Sequence, residues 1–404
     1  MKYFLDLSVL KRNRRFRLLF SGQFVSFFGT MITSVALPFQ IYQLTHSTLM
    51  VGLISLFQLI PLLFTALIGG VFADRYHRRM MLLIAETLLA CSCLLLCFNA
   101  SLAHPHVWVI FVVAPFMSAL TGLHRPSMDS IKQQIVAKED FPMVGTLTTF
   151  MYSITMIGGP AVGGLIIARY GIVTTYFCDF LTFIFSVSTI IRIGEISRKK
   201  IIADSSTLQS LKEGIQYASS RQELIGTYLI DFIAMIFGMP IALFPAIAQM
   251  HGGAKTLGML YSAPAVGALF ISIFGGWVSQ VKRHGVAISL SAIAWGVAII
   301  FFGLQQNFLL SLFFLALAGA ADALSGIFRQ TMWNNTIPNQ YRGRLSGIEM
   351  ISYLSGPKLG DTEAGLVAAA FGITASIVSG GVLCVAGVIL GSYFLPKFWK
   401  YRSE

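Results

Sequence analysis

Apolar runs of about twenty residues recur along the whole chain, at approximately 18–42, 50–73, 80–98, 107–124, 142–168, 172–191, 224–248, 257–281, 286–304, 308–328, 346–368 and 373–395. A helix of that length crosses the hydrocarbon of a bilayer. Lipid offers no partner to an open strand edge, so a chain that crosses it repeatedly does so as helices or as a closed barrel. Runs this long, without polar alternation, predict helices. The fold class is therefore an all-α membrane protein with twelve transmembrane helices, numbered 1 to 12 along the chain. Only 11% of the residues are charged, where a soluble protein carries about a quarter, and the short connections leave no room for a soluble domain. The first apolar run is span-length and follows a basic arm, so no cleavable signal peptide is expected.

The net charge of +12 reports orientation rather than a nucleic-acid partner. Alternate connections, beginning with the N-terminal arm and ending with the C-terminal tail, hold all of the 29 Lys and Arg except Arg169, Lys255 and Lys358. This positive-inside bias predicts a multi-pass protein of the cytoplasmic (inner) membrane with both termini in the cytoplasm. Its basic segments face anionic lipid. The five cysteines (Cys91, Cys93, Cys97, Cys178 and Cys384) all fall in apolar spans. No convergent His or carboxylate accompanies them, so neither a metal site nor disulfides are expected.

The chain also repeats itself. Val51-Gly52-Leu53 aligns with Leu257-Gly258-Met259, Gly69-Gly70 with Gly275-Gly276, and Arg78-Arg79 lies near Lys282-Arg283. Gly159-Pro160 with Gly163 falls on Gly356-Pro357 with Gly360. Helix 2 thus maps onto helix 8, and helix 5 onto helix 11. The expected organisation is an N-terminal six-helix bundle with its basic arm (1–191), a cytoplasmic linker (192–223) and a C-terminal six-helix bundle (224–404). Two pseudo-symmetric bundles around a midplane site are one construction by which secondary transporters alternate access.

The short inner loop between helices 2 and 3 reads "GGVFADRYHRR". Gly70, Asp74, Arg75, Arg78 and Arg79 resemble the loop signature G-x-x-x-D-R-x-x-R-R of the major facilitator superfamily, with His77 where a Gly is common. The degenerate second copy, "GGWVSQVKRHG", has Gln280 in place of the acid. The physical reading is a latch. Asp74 can sit at a positive helix N-terminus, and the arginines can hold carboxylates or carbonyls. Contacts made in one conformation only bias the equilibrium between conformations. The plainer alternative is a positive-inside anchor.

In helix 5, Gly159, Pro160, Gly163 and Gly164 resemble the G-P-x-x-G-G core of the motif associated with antiporters of that superfamily, although Thr155 stands where an upstream glycine belongs. Glycines at this spacing also serve helix packing alone. Further stretches, "DLSVLKRNRRFR" (6–17), "THSTLMVGL" (45–53), "GGVFADRY" (69–76) and "RGRLSG" (342–347), resemble the enterobactin (siderophore) exporter group and, more distantly, macrolide efflux proteins. The resemblance implies the major facilitator fold and an efflux function.

Ionisable residues inside spans are costly and functional by default. Helix 7 carries Asp231, and no basic residue of the same helix neutralises it. Helix 10 carries Asp322 and Arg329 seven residues apart on one face. Helix 3 carries Glu86 and helix 6 carries Asp179. Helix 11 carries Lys358 and Asp361, which as an i, i+3 pair can bridge, and Glu363. Asp361 stands in the repeat where the first half has Gly164. A carboxylate in a low-dielectric medium favours its protonated form, as proton coupling requires. Asp231, Lys358, Asp361, Asp179, Asp322, Arg329 and Glu86 are therefore the coupling or substrate candidates. Fixed structural pairing is the expectation favoured for Asp322, Arg329 and Glu86.

The sequence reading is an exporter of an amphiphilic small molecule, a siderophore or a drug, working by alternating access in antiport with protons. It needs the lipid bilayer and the proton gradient but no cofactor, metal or nucleic acid, and is expected to function as a monomer. It has no G-x-x-x-x-G-K-[ST] loop for nucleotide hydrolysis. A membrane-embedded enzyme would need clustered catalytic groups, whereas the seven histidines lie near loops. A channel or receptor is the remaining rival, which saturable, gradient-driven flux excludes.

Overall fold

The computed structural model describes residues 7–75, 77–194 and 216–403; the side chains of 67–75, 126, 279, 339–344 and 346–351 are outside that description. Most of the predicted 192–223 linker therefore lies outside the described residues. Among those described, all regular structure is helical.

The helices are α1 (Arg14–Thr45), α2 (Thr48–Arg75), α3 (Arg78–Ser101) and α4 (Val107–Ile135). Next, Phe141–Ile193 turns at Gly171 and so supplies two spans, α5 (141–170) and α6 (172–193). Gly171 has φ 81°, a left-handed backbone that glycine adopts without steric cost. Then follow α7 (Gln222–Met250), α8 (Ala254–Phe274), α9 (His284–Leu304), α10 (Phe308–Thr336), α11 (Asn339–Phe371) and α12 (Ile373–Phe394). The twelve-helix expectation is met, and several helices extend beyond their apolar runs into polar residues. Side chains cap helix starts, and Ser47 before α2 accepts from the Met50 N–H at 3.3 Å. Asn13 accepts from the Phe16 N–H at 3.0 Å, and Asn307 accepts from the Leu309 N–H at 2.9 Å, satisfying amides that a helix start leaves open.

α7 is interrupted. Its first part ends at Phe237, and a single 3-10 turn, Ile241–Leu243, leads into Phe244–Met250. Gly238 and Pro240 explain the break, since proline withholds a backbone donor. The interruption leaves amides available to side chains of other helices.

The described residues form two compact units, one of 7–44, 57–194 and 252–258, the other of 45–56, 216–251 and 259–403. In the first unit, Leu19, Leu82, Met128, Ile131, Ile190 and Ile193 form a core shared by α1, α3, α4 and α6. A short helix, Ser8–Arg12, adds Val9 to a second cluster with Phe16, Val136, Val144 and Leu147. Arg12 fixes this basic arm by donating to both oxygens of Asp140, at 2.6 and 2.8 Å. In the second unit, Ala218 and Leu224 pack with Ile337 and Leu345.

Glycines of the sequence repeat make matching contacts. In the second unit, a Cβ on Gly52 would stand 2.7 Å from the Asp361 carbonyl oxygen and 3.1 Å from the Gly365 Cα. In the first unit, a Cβ on Gly258 would stand 2.8 Å from the Pro160 carbonyl oxygen and 3.2 Å from the Gly164 Cα. Both positions require backbone-to-backbone approach, which small residues permit in membranes.

Candidate functional site

Asp231, Asp322 and Arg329 come together in the second unit. Arg329 reaches from α10 to make a direct ion pair with Asp231 of α7, and its other terminal nitrogen is 3.7 Å from Asp322 Oδ1. The expected Asp322–Arg329 pairing is thus the longer of the two. Asp231 is neutralised from a neighbouring helix, a contact that reading α7 alone cannot supply. The side chains of Asp231 and Arg329 are 15% and 12% exposed, against 44% for Asp322.

The pair borders a cavity of about 150 Å³ between α7, α10 and α11, whose lining also includes Tyr228, Gln330, Trp333 and Tyr353. The rings of Tyr228 and Trp333 are stacked, with centroids 5.4 Å apart and planes inclined by 28°. Trp333 is held by its indole N–H, which donates to Thr227 Oγ1 at 2.8 Å. Polarised groups, aromatic faces and an opening suited to a ring-sized group are the ordinary makings of a small-molecule site.

Asp361 is placed differently. Its Oδ2 accepts from the Ser55 hydroxyl at 2.8 Å, and its Oδ1 accepts from the Ala242 N–H at 3.0 Å. The carboxylate therefore ties the start of α2 and the interrupted stretch of α7 to α11, all within the second unit. The sequence expectation paired it with Lys358. The amide freed by the break in α7 and the hydroxyl of Ser55 donate to its oxygens, and Lys358 has an interaction of its own. Two further bonds follow the same seam, from the Thr48 hydroxyl to the Gly365 carbonyl at 3.3 Å and from the Thr362 hydroxyl to the Gly52 carbonyl at 3.2 Å.

The first unit holds two buried acids. Asp179 of α6 is fully buried. Its Oδ2 accepts from the Thr33 hydroxyl of α1 and from the Cys93 thiol of α3 at 3.3 Å, and its Oδ1 accepts from Thr182 at 3.0 Å. Nearby, the Tyr176 hydroxyl donates to Gln40 Oε1 at 2.7 Å. Glu86, also fully buried, lies with Oε1 2.8 Å from His124 Nε2. His124 belongs to α4, not to a loop, and sequence reasoning missed it as a partner. The pairing needs the three-dimensional crossing of α3 and α4, for which no local signal exists.

Of the latch residues, Gly70, Asp74 and Arg75 have their side chains outside the described residues. Arg79 donates to the carbonyls of Ile190 at 3.2 Å and Ile191 at 3.0 Å, in the last turn of α6. A cation there complements the exposed carbonyls of a helix end. Arg78 has an interaction of its own. In α5, Gly159 faces Met31 and Gly163 faces Ile32, both of α1, while Gly164 abuts Gly258. Pro160 and these three glycines are all buried. The motif therefore sits where two helices approach it closely.

A family model described as "Transmembrane secretion effector" matches residues 7–402. The chain is 26% identical over 390 residues to the enterobactin exporter EntS of Shigella flexneri, covering 96% of this chain and 93% of that protein. The EntS of Citrobacter koseri is likewise 26% identical, over 403 residues, covering 99% and 96%. Among solved structures, a peptide transporter POT in complex with alafosfalin superposes with a TM-score of 0.76 at 12% identity, over 97% of this chain and 96% of the other. A bacterial homologue of the iron transporter ferroportin, in an inward-facing state, gives 0.71 at 16% identity, over 95% and 98%.

Proposed function

The chain belongs to the transmembrane secretion effector family of the major facilitator superfamily, a multi-span membrane transporter, and from that membership we propose that it exports an amphiphilic small molecule. Transport runs from cytoplasm to exterior by alternating access of two six-helix bundles, in antiport with protons. The driving force is the proton gradient, with no bound cofactor, and the working unit is a monomer with both termini in the cytoplasm. The name of its relatives makes enterobactin, and siderophores more broadly, the first compounds to test; a broader drug or macrolide efflux activity is the alternative.

The observation that carries this reading is the Asp231–Arg329 pair at the edge of an aromatic-lined cavity in a transmembrane bundle. An ion pair in such a place is costly to maintain and is expected where substrates or protons pass. A carboxylate that exchanges its cation for a proton changes the charge of the cavity, which links occupancy to pH.

The test is gradient-driven flux. Cells lacking the protein should retain the exported compound, identified by comparing culture media by mass spectrometry. Inverted vesicles should accumulate it when acidified inside, and accumulation should vanish with a protonophore. Impaired import in cells lacking the protein, in place of retention, would refute the direction. In proteoliposomes, Asp231→Asn should abolish uphill transport while exchange without a gradient persists. Uphill transport by that variant would remove Asp231 from the coupling step.

A further inference from the structure

Two cross-links join α7 to α10, one turn apart. Asp231 of α7 pairs with Arg329 of α10, and Thr227 of α7 accepts from the Trp333 indole N–H at 2.8 Å. The four-residue steps, 227 to 231 and 329 to 333, put both contacts on facing stripes of the two helices. Thr227 has one hydroxyl proton, which it donates to the Leu224 carbonyl at 2.8 Å. Only its lone pairs remain for Trp333, whose indole nitrogen can only donate. The bond has one polarity, and it fixes the edge of the indole. Packing fixes the faces: Tyr228 and Trp333 rest on the cluster of Ala218, Leu224, Ile337 and Leu345, and their rings stack at 5.4 Å. Both rings line the cavity, whereas Thr227 is fully buried and lies behind them. Gly326 lines the same space. A Cβ there would meet nothing nearer than Arg329 Nη2, at 3.8 Å, among the described residues, so the missing side chain leaves room for a ligand.

We propose that Thr227 is a positioning residue for ligand recognition: it holds the Trp333 indole beside Tyr228 as a flat wall, and the cavity thereby selects a planar ring over a puckered ring of the same size. This deepens the exporter reading and rests on it, and it names the substrate class as molecules that carry a planar six-membered ring. A planar ring meets an ordered aromatic wall over its whole face, whereas a chair-shaped ring touches it only through its axial hydrogens. An indole free to turn would have to be ordered by each ligand that binds, at a cost in side-chain entropy. The bond to Thr227 orders it in advance. Thr227 touches no ligand itself and acts through Trp333 alone. The Asp231–Arg329 pair, on the same lining, places polar groups beside a substituent of the ring.

The experiment uses two probes with one head group and one ring size: benzamide is flat and cyclohexanecarboxamide is puckered. Binding to the purified full-length protein in detergent is read by calorimetry and saturation-transfer NMR. Benzamide should bind about three- to tenfold more tightly, the range that ring-on-ring contact adds beyond burial. Gly326→Leu, which fills the cavity, should weaken both probes. Thr227→Val keeps the shape of the side chain without its acceptor, and should bring the ratio of the two affinities close to one. Thr227→Ser keeps the acceptor and should keep the preference. A merely structural role would lower both affinities together and leave their ratio unchanged. The wall is also read without a ligand, from the indole N–H resonances of the five tryptophans in isotope-labelled protein. Trp333→Phe identifies the Trp333 signal, and Thr227→Val should shift that signal and hasten its hydrogen exchange while the others stay in place. Trp333→Phe keeps a ring but has no N–H, and should lose the preference whether or not Thr227→Val folds. Equal affinities in the unaltered protein overturn the proposal, as do binding of neither probe, binding that survives Gly326→Leu, or an unchanged preference or Trp333 signal in Thr227→Val. Gradient-driven flux of the exported compound in inverted vesicles is scored separately. Flux by the unaltered protein, with an unchanged Trp333 signal in Thr227→Val, overturns the positioning role alone. A ring preference that Thr227→Val abolishes, with no flux by the unaltered protein, overturns the exporter reading alone.

Discussion

Replacing Asp179 by alanine offers the sharpest test of how the first unit is held together. The residue is fully buried and joins three helices through one carboxylate, accepting from Thr33 on α1, Cys93 on α3 and Thr182 on its own helix. Thr182 loses little, because its hydroxyl also donates to the Asp179 carbonyl at 2.7 Å, which the substitution leaves in place. The cost comes from the two interhelical bonds. Such bonds in membrane proteins contribute about 0.6 kcal/mol on average and about 1.7 at most. Two of them give about 1.2 to 3.4 kcal/mol, roughly an eightfold to three-hundredfold shift in the unfolding equilibrium. The Cys93 thiol is a weak donor, which places the result in the lower half. Unfolding in mixed micelles by titrated dodecyl sulfate, followed by circular dichroism, measures it. Asp179→Asn keeps one acceptor and should lose about half as much. Gly29→Ala should also destabilise, since its Cβ would overlap Asp179 Oδ1 and Thr182 Oγ1. Parental stability of Asp179→Ala would refute the reasoning, and so would an Asn variant as unstable as the Ala variant.

Three other outcomes are expected. Asp74→Asn should impair transport without reducing membrane insertion, and cysteine labelling from the two faces should shift; unchanged labelling with full transport would dismiss the latch. Gly319→Val should sharply reduce the yield of monodisperse protein on size exclusion, because even a Cβ at that position collides with the Pro264 carbonyl of α8. Arg12→Ala removes an exposed pair with Asp140, and should cost no more than about 1 kcal/mol at low salt, a difference that disappears in 1 M salt.

The spans were legible because a twenty-residue apolar run has one economical conformation in lipid. The repeat was legible for a similar reason: Gly52 and Gly258 are spaced by the same architecture, and each meets a backbone that tolerates no side chain. Partners of the buried charges were less accessible. The seven-residue spacing of Asp322 and Arg329 does place them on one face, but a long guanidinium reaches across to α7 and finds Asp231. The i, i+3 relation of Lys358 and Asp361 is likewise real. The amide of Ala242 is nevertheless exposed only by the break in α7, and that break is a tertiary fact as much as a local one. Local spacing constrains which residues share a face, whereas the choice of partner depends on which helix lies opposite.

The buried acids differ most in what surrounds them, and that difference ranks them for proton exchange. Asp179 is enclosed by hydroxyl and thiol donors in the helix-packed interior of the first unit. A proton arriving there would displace a donor: Thr182 can turn wholly to the Asp179 carbonyl, whereas Thr33 and Cys93 reach the carboxylate from other helices. Asp361 is fixed by one hydroxyl and one main-chain amide, so protonation would loosen a seam between three chain segments. Asp231 combines a guanidinium partner with a place on a cavity wall. When it takes a proton, Arg329 keeps a second carboxylate, Asp322, within 3.7 Å, so the guanidinium is not stranded in a low-dielectric site. That reserve partner lowers the cost of breaking the pair, which is otherwise about 3–5 kcal/mol when a buried ion loses its counterpart. Removing the reserve should expose its value. In Asp322→Asn, breaking the Asp231–Arg329 pair also finds the Asp322 carboxylate gone, so proton-driven exchange should slow even though Asp231 itself is intact. A variant that exchanges at the parental rate would show that Arg329 does not need its second carboxylate, and coupling would then be sought at the Asp361 seam.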